Sequence, residues 1–113
     1  LSGEEHPNFD SSLSPEDRER NRNKIEKWRR SVYERDNFVC QVTGNKGGDL
    51  IAHHLYDYQH NKDKRYDIEN GITVSKVIHK LFHDIYGYKS RITKVDFEEF
   101  IFRYNEGEFK DIL

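Results

Sequence analysis

The chain has no methionine, a single cysteine and no run of apolar residues long enough to span a bilayer. Each shortage excludes something. Cys40 alone cannot build an internal disulfide framework, and it suits a reducing cytosol. Without a long apolar segment or a secretory leader there is no membrane partner to expect, and the reading is a cytoplasmic protein. Neither sign of charge is in excess, with 19 Lys and Arg against 21 Asp and Glu for a net charge of −2. A surface that is basic throughout is therefore excluded, and any contact with a polyanion must come from local patches. Hydrophobic residues fill only 34% of the 113 positions, which allows one small domain with a thin core, and such cores often gain from a bound metal. Leucine stands at position 1 and methionine nowhere, which sets the expectation of a piece cut from a longer protein.

What is present has clear punctuation. Residues 1–14 mix Gly, Pro, Ser and acids without periodicity and read as an extended arm or linker, leaving 15–113 as the single domain. Ser14, Pro15 and Asp17 supply the cap, first position and third position of a helix whose apolar stripe is Ile25, Trp28 and Val32. Its many charges read first as a solvated face laced with ion pairs, and second as a phosphate-contacting face on which Arg29 and Arg30 are the best candidates. Residues 38–54 place β-type residues on both sides of the turn Gly44-Asn45-Lys46-Gly47-Gly48-Asp49, which predicts a hairpin. Gly71–Val74 predicts another strand. Ser75 caps a helix ending at Gly87, and Thr93 with Asp96 caps a second, amphipathic helix with Phe97, Phe100, Ile101 and Tyr104 on one face. The class is α+β.

Five of the six histidines fall between positions 53 and 83, and four of them, His53, His54, His79 and His83, form two close pairs. His79 and His83 are one helical turn apart and rise from the same helix face, as two imidazoles on one metal must. His53 and His54 end a strand, where successive side chains point to opposite faces. The two cannot share a role: one can turn toward the helix and complete a three-imidazole site, while the other looks toward a substrate beside it.

The motifs Ala52-His53-His54, Asn70-Gly71-Ile72-Thr73-Val74 and His79-Lys80-Leu81-Phe82-His83 resemble those of the HNH endonucleases. The lead-in Trp28-Arg29-Arg30 through Gly44 and the aromatic segment after His83 are similar to phage and intron-encoded members. The resemblance implies a ββα-metal core, also called a His-Me finger, at about 38–87, flanked by an N-terminal helix and a C-terminal amphipathic helix. It implies that His53, His79 and His83 hold one divalent ion and that His54 is the general base. Asn70 would orient His54 by holding its loop, although in other branches this asparagine is itself a metal ligand. DNA is the implied partner, with Lys76 and Lys80 beside the histidines the best placed to meet its phosphates. Other candidates for DNA contact are Lys62, Lys64, Arg65, Lys89 and Arg91. A homodimer or a further DNA-binding domain in the parent chain would complete the assembly, and phage origin would place it in a host cell.

Three neutral imidazoles favour zinc, nickel or manganese, whereas the resemblance implies magnesium support, so ion identity stays open. His60, Asp57 and Asp67 read as solvated loop residues. Many similar proteins carry two Cys-x-x-Cys pairs for a structural zinc. Here these are Cys40-Gln-Val-Thr43 and Ser75-Lys-Val-Ile78, so no structural zinc is expected, and packing among Val39, Val42, Ile78 and Trp28 should hold the hairpin instead. The alternative function is a catalytically inactive, metal-stabilised nucleic-acid-binding module; a structural zinc domain for protein contacts is a third.

Overall fold

The computed structural model describes residues 13–88 and 92–113, so the arm expected at 1–14 lies almost wholly outside the described residues, as do Lys89 and Arg91. Three helices, α1 (Pro15–Arg35), α2 (Lys76–Tyr86) and α3 (Lys94–Asn105), accompany two strands, β1 (Leu50–His54) and β2 (Gly71–Ser75). The fold is α+β. Among the described residues, no helix is long and apolar enough to cross a membrane.

The three helix starts follow from their caps. Ser14 Oγ accepts from the Asp17 N–H at 3.1 Å with Pro15 at the first position, and Ser75 Oγ accepts from the Ile78 N–H at 3.2 Å. At α3 the Thr93 N–H donates to Asp96 at 2.9 Å within a reciprocal capping box. Each bond satisfies an amide that the first helical turn leaves without a partner.

The strands pair antiparallel with His53 opposite Ile72 and His54 opposite Gly71. Period-two alternation then sorts their side chains onto two covered faces. Ile51, Ile72 and Val74 belong with the core of Ile78, Phe82, Phe97 and Phe100 supplied by α2 and α3. Gly71 and Thr73 face α1: a Cβ on Gly71 would lie 2.5 Å from Val32 Cγ2, and Thr73 Oγ1 donates to the Val32 carbonyl at 3.3 Å. A thin sheet between helices on either side is the result, and each face offers a different environment.

Two expectations about the hairpin need correction. Residues 38–47 do not form a strand paired with β1; they close into a knuckle with one isolated bridge, Val39 to Lys46. Two backbone bonds close it, Cys40 N–H to Asn45 at 2.8 Å and Gly44 N–H to Cys40 at 2.8 Å, while the Gln41 N–H reaches the Thr73 carbonyl of β2 at 2.9 Å. Glycines 44, 47 and 48 adopt φ near +80°, which curls the chain where a strand would have to extend. The true partner of β1 is β2. Trp28 does not pack on the knuckle either, since it lies against Gly71 on the α1 face, whereas Cys40 and Ile78 are buried in the main core with Val42 packed against it.

Candidate metal centre

β1 ends where α2 passes beneath its core face, and this brings His53 against the helix. His53 is 5% exposed, its ring stacked on Phe97 at 4.8 Å and edge-on to Phe82 at 5.2 Å. One ring nitrogen from each of His53, His79 and His83 lies within 4.8 Å of the others. His79 and His83 approach closest, Nε2 to Nε2 at 3.2 Å. Nitrogen ligands of a tetrahedral ion at zinc–nitrogen bond lengths are roughly 3.3 Å apart, so the helical pair already has ligand spacing and His53 needs a small closing movement.

The chemistry of the donors fits an ion. His53 Nε2 is buried with no hydrogen-bond partner, a condition that costs free energy unless something accepts its lone pair. His83 Nδ1 lies 3.0 Å from the Gly87 carbonyl, which can only accept, so Nδ1 carries the proton and Nε2 presents its lone pair to the cluster. Gly87 reaches this position at φ +91°, a conformation that favours glycine. Tyr88 stacks flat on the outer side of His83 at 4.8 Å. Burial, then the charges of His79 and His83, pushes His53 down to about 3. Burial, then His83, pushes His79 to about 4. Both are neutral imidazoles at cellular pH, as ligands must be, and three of them around one ion would leave a fourth position open.

This burial makes acid sensitivity an expected property of the metal-free protein. The unfolded chain binds protons on these histidines near 6.5 while the folded chain resists them until about 3 to 4. Stability is then fully present above pH 6.5 and is lost as pH falls through that window, by on the order of a few kcal/mol that come mainly from buried His53, since solvent screens the share of half-buried His79. Denaturant titrations of metal-free protein from pH 7.5 to 4 check this, and a flat profile would contradict it.

His54 emerges from the other sheet face. Its Nε2 lies 3.0 Å from the Arg65 carbonyl, again an acceptor only, so Nε2 carries the proton and Nδ1 is the basic nitrogen. Its ring stacks on Trp28 with centroids 3.9 Å apart and planes 11° from parallel, and Tyr58 meets it edge-on. Burial lowers its pKa; the Arg65 carbonyl opposes this, and the charges of Arg29 and Arg65 add to the lowering. The ring is thus neutral and able to accept a proton.

Asn70 is 5% exposed and spends its amide on backbone. Its Oδ1 accepts from the Tyr56 N–H at 2.8 Å, and its Nδ2 donates to the carbonyls of Tyr56 at 2.9 Å and Lys64 at 3.1 Å. These bonds tie together both ends of the loop that begins just after His54 and delivers the Arg65 carbonyl to it. With the amide committed this way, Asn70 acts on the loop and not as a ligand of the histidine cluster.

The charged candidates are distributed less simply. Lys76 is exposed, and Lys80 pairs with Asp84 at 2.8 Å. Both line a cleft of about 930 Å³ that also reaches His79, Tyr88 and Tyr104. Arg29 pairs with Glu26, and Arg30 is exposed on α1. Arg65 turns inward to the Tyr58 carbonyl at 2.8 Å. Asp57 and His60 pair with each other at 2.6 Å, and Asp67 caps the turn before Asn70.

Sequence reasoning missed four contributors. The carbonyls of Arg65 and Gly87 leave no side-chain signal, because any residue supplies one. Tyr88 and Trp28 are visible as aromatics, but only the packing says which histidine each one meets. No family model matches the chain, and neither does any curated protein or solved structure.

Proposed function

We propose that the protein is a metal-dependent DNA endonuclease of the HNH type, with β1, β2 and α2 serving as a ββα-metal core. One observation carries the reading: of two histidines adjacent in sequence, one joins a three-imidazole cluster, and the other is held apart in a single neutral tautomer. A purely structural metal site needs the first and has no use for the second.

His53, His79 and His83 would hold one divalent ion. When bound, such an ion stabilises the charge that develops on the phosphoryl oxygens and the departing 3′ oxygen. His54 Nδ1 takes a proton from water as the water oxygen attacks phosphorus and the P–O3′ bond breaks; the departing 3′ oxygen takes a proton from solvent, giving 5′-phosphate and 3′-hydroxyl ends. The positive charge left on His54 is shared with the Arg65 carbonyl through Nε2–H. Asn70 keeps that carbonyl in place. Lys76, with Lys80, Arg29 and Arg30, would meet backbone phosphates, contacts that position a duplex without reading its sequence.

Supercoiled plasmid incubated with manganese, nickel, zinc or magnesium should be nicked or linearised, and a chelator should stop the reaction reversibly. Failure with every ion would set the nuclease reading aside. The second reading, a metal-stabilised DNA-binding module without turnover, gains support from the position of His53 between Phe82 and Phe97, which couples the ion to the core. It predicts binding and metal-dependent stability with no cleavage.

A further inference from the structure

The α1 face of the sheet holds a contact that the metal centre does not require. Trp28 is 4% exposed, and its indole covers the His54 imidazole with nearly parallel planes, 3.9 Å between centroids. The indole is itself fixed, since Nε1–H donates to the Asp67 carbonyl at 2.8 Å. The strand allows this proximity because position 71 is glycine: a Cβ there would lie 2.6 Å from Trp28 Cζ2.

A histidine side chain has two torsions to fix if one nitrogen is to meet a water molecule in a set direction. The Arg65 carbonyl holds Nε2 of His54, and Tyr58 limits one edge at 5.5 Å. Neither contact sets the plane of the ring, which the flat face of Trp28 does. We infer that Trp28 is a positioning residue for His54, which makes α1 part of the catalytic apparatus; the inference rests on the nuclease reading above. The metal cluster lies on the opposite sheet face, so the two functions are separable by mutation.

Trp28→Leu removes the flat surface while keeping an apolar side chain, and it should lower kcat by about 100-fold with KM unchanged. Trp28→Phe keeps a flat ring and should retain activity within about tenfold of wild type. Gly71→Ala, which presses on the indole without removing it, should fall between the two. Zinc affinity, measured by calorimetry, should stay at the wild-type value in all three. Equal activity of the Leu and Phe variants, or zinc affinity falling in step with kcat, would overturn the inference in favour of general packing.

A second measurement needs no turnover. Side-chain ¹⁵N spectra at pH 7.5 should show His54 as one Nε2–H tautomer in the wild type and Trp28→Phe, and as a mixture in Trp28→Leu. An unchanged spectrum in Trp28→Leu would refute the positioning role. If wild type cleaves nothing yet the tautomers divide as described, the nuclease reading fails and the positioning of His54 stands.

Discussion

His54→Ala is expected to lower the rate of the proposed DNA cleavage by roughly 10²- to 10⁴-fold, the range associated with loss of a general base, while leaving metal affinity untouched. The separation follows from strand alternation. His54 points to the α1 face, where it contacts Trp28, Tyr58 and the Arg65 carbonyl, whereas the nitrogens that could hold an ion belong to His53, His79 and His83. Alanine removes the imidazole that these groups hold and none of the cluster. Plasmid nicking rates, together with calorimetric zinc titrations of the same preparations, check both halves. Wild-type rates from the variant would remove His54 from the mechanism, and lost zinc affinity would mean that the two sheet faces are not independent.

His53→Leu is expected to reverse the order of stability with metal content. In the metal-free protein, His53 places an imidazole among Phe82 and Phe97 with Nε2 unpartnered. An unsatisfied buried polar group of this kind costs roughly 1–3 kcal/mol. Leucine fills similar space without that cost, so in chelator the variant should unfold at higher denaturant than wild type. Added zinc should invert the result. At about 100 times the dissociation constant a ligand stabilises the folded state by about 2.7 kcal/mol, and the variant, keeping only His79 and His83, should gain far less. Removing even an outer partner of a metal ligand weakens binding about 10- to 100-fold, and removing a ligand should exceed that. Denaturant midpoints with and without zinc decide it: a variant less stable than wild type in chelator would show that His53 packs as an ordinary core residue.

Much of this arrangement was legible in the residues. The caps at Ser14, Ser75 and Thr93 and the stop at Gly87 are short-range features, and the helix boundaries they imply are those observed. The separation of four between His79 and His83 fixes a shared helix face wherever that helix lies. The alternation of His53 and His54 likewise guarantees that one of them turns away from the other. The pairing of β1 was not legible, because β-type residues flank a glycine-rich turn both in a true hairpin and in the knuckle at 38–47. What distinguishes them is the competition between local backbone bonds and the more distant edge of β2, which no local pattern encodes.

Sequence by itself therefore determined the class of the fold, the helices and the chemical types gathered at the site, because these depend on interactions a few residues apart. Only the tertiary structure decided which face of the sheet met α2 and which met α1. That choice put His53 in the histidine cluster, gave His54 the Arg65 carbonyl and the flat surface of Trp28, and bound Asn70 to its loop. Each of these contacts joins segments brought together by burial of the two sheet faces, and for contacts of that kind geometry in space, not spacing in the chain, sets the partner.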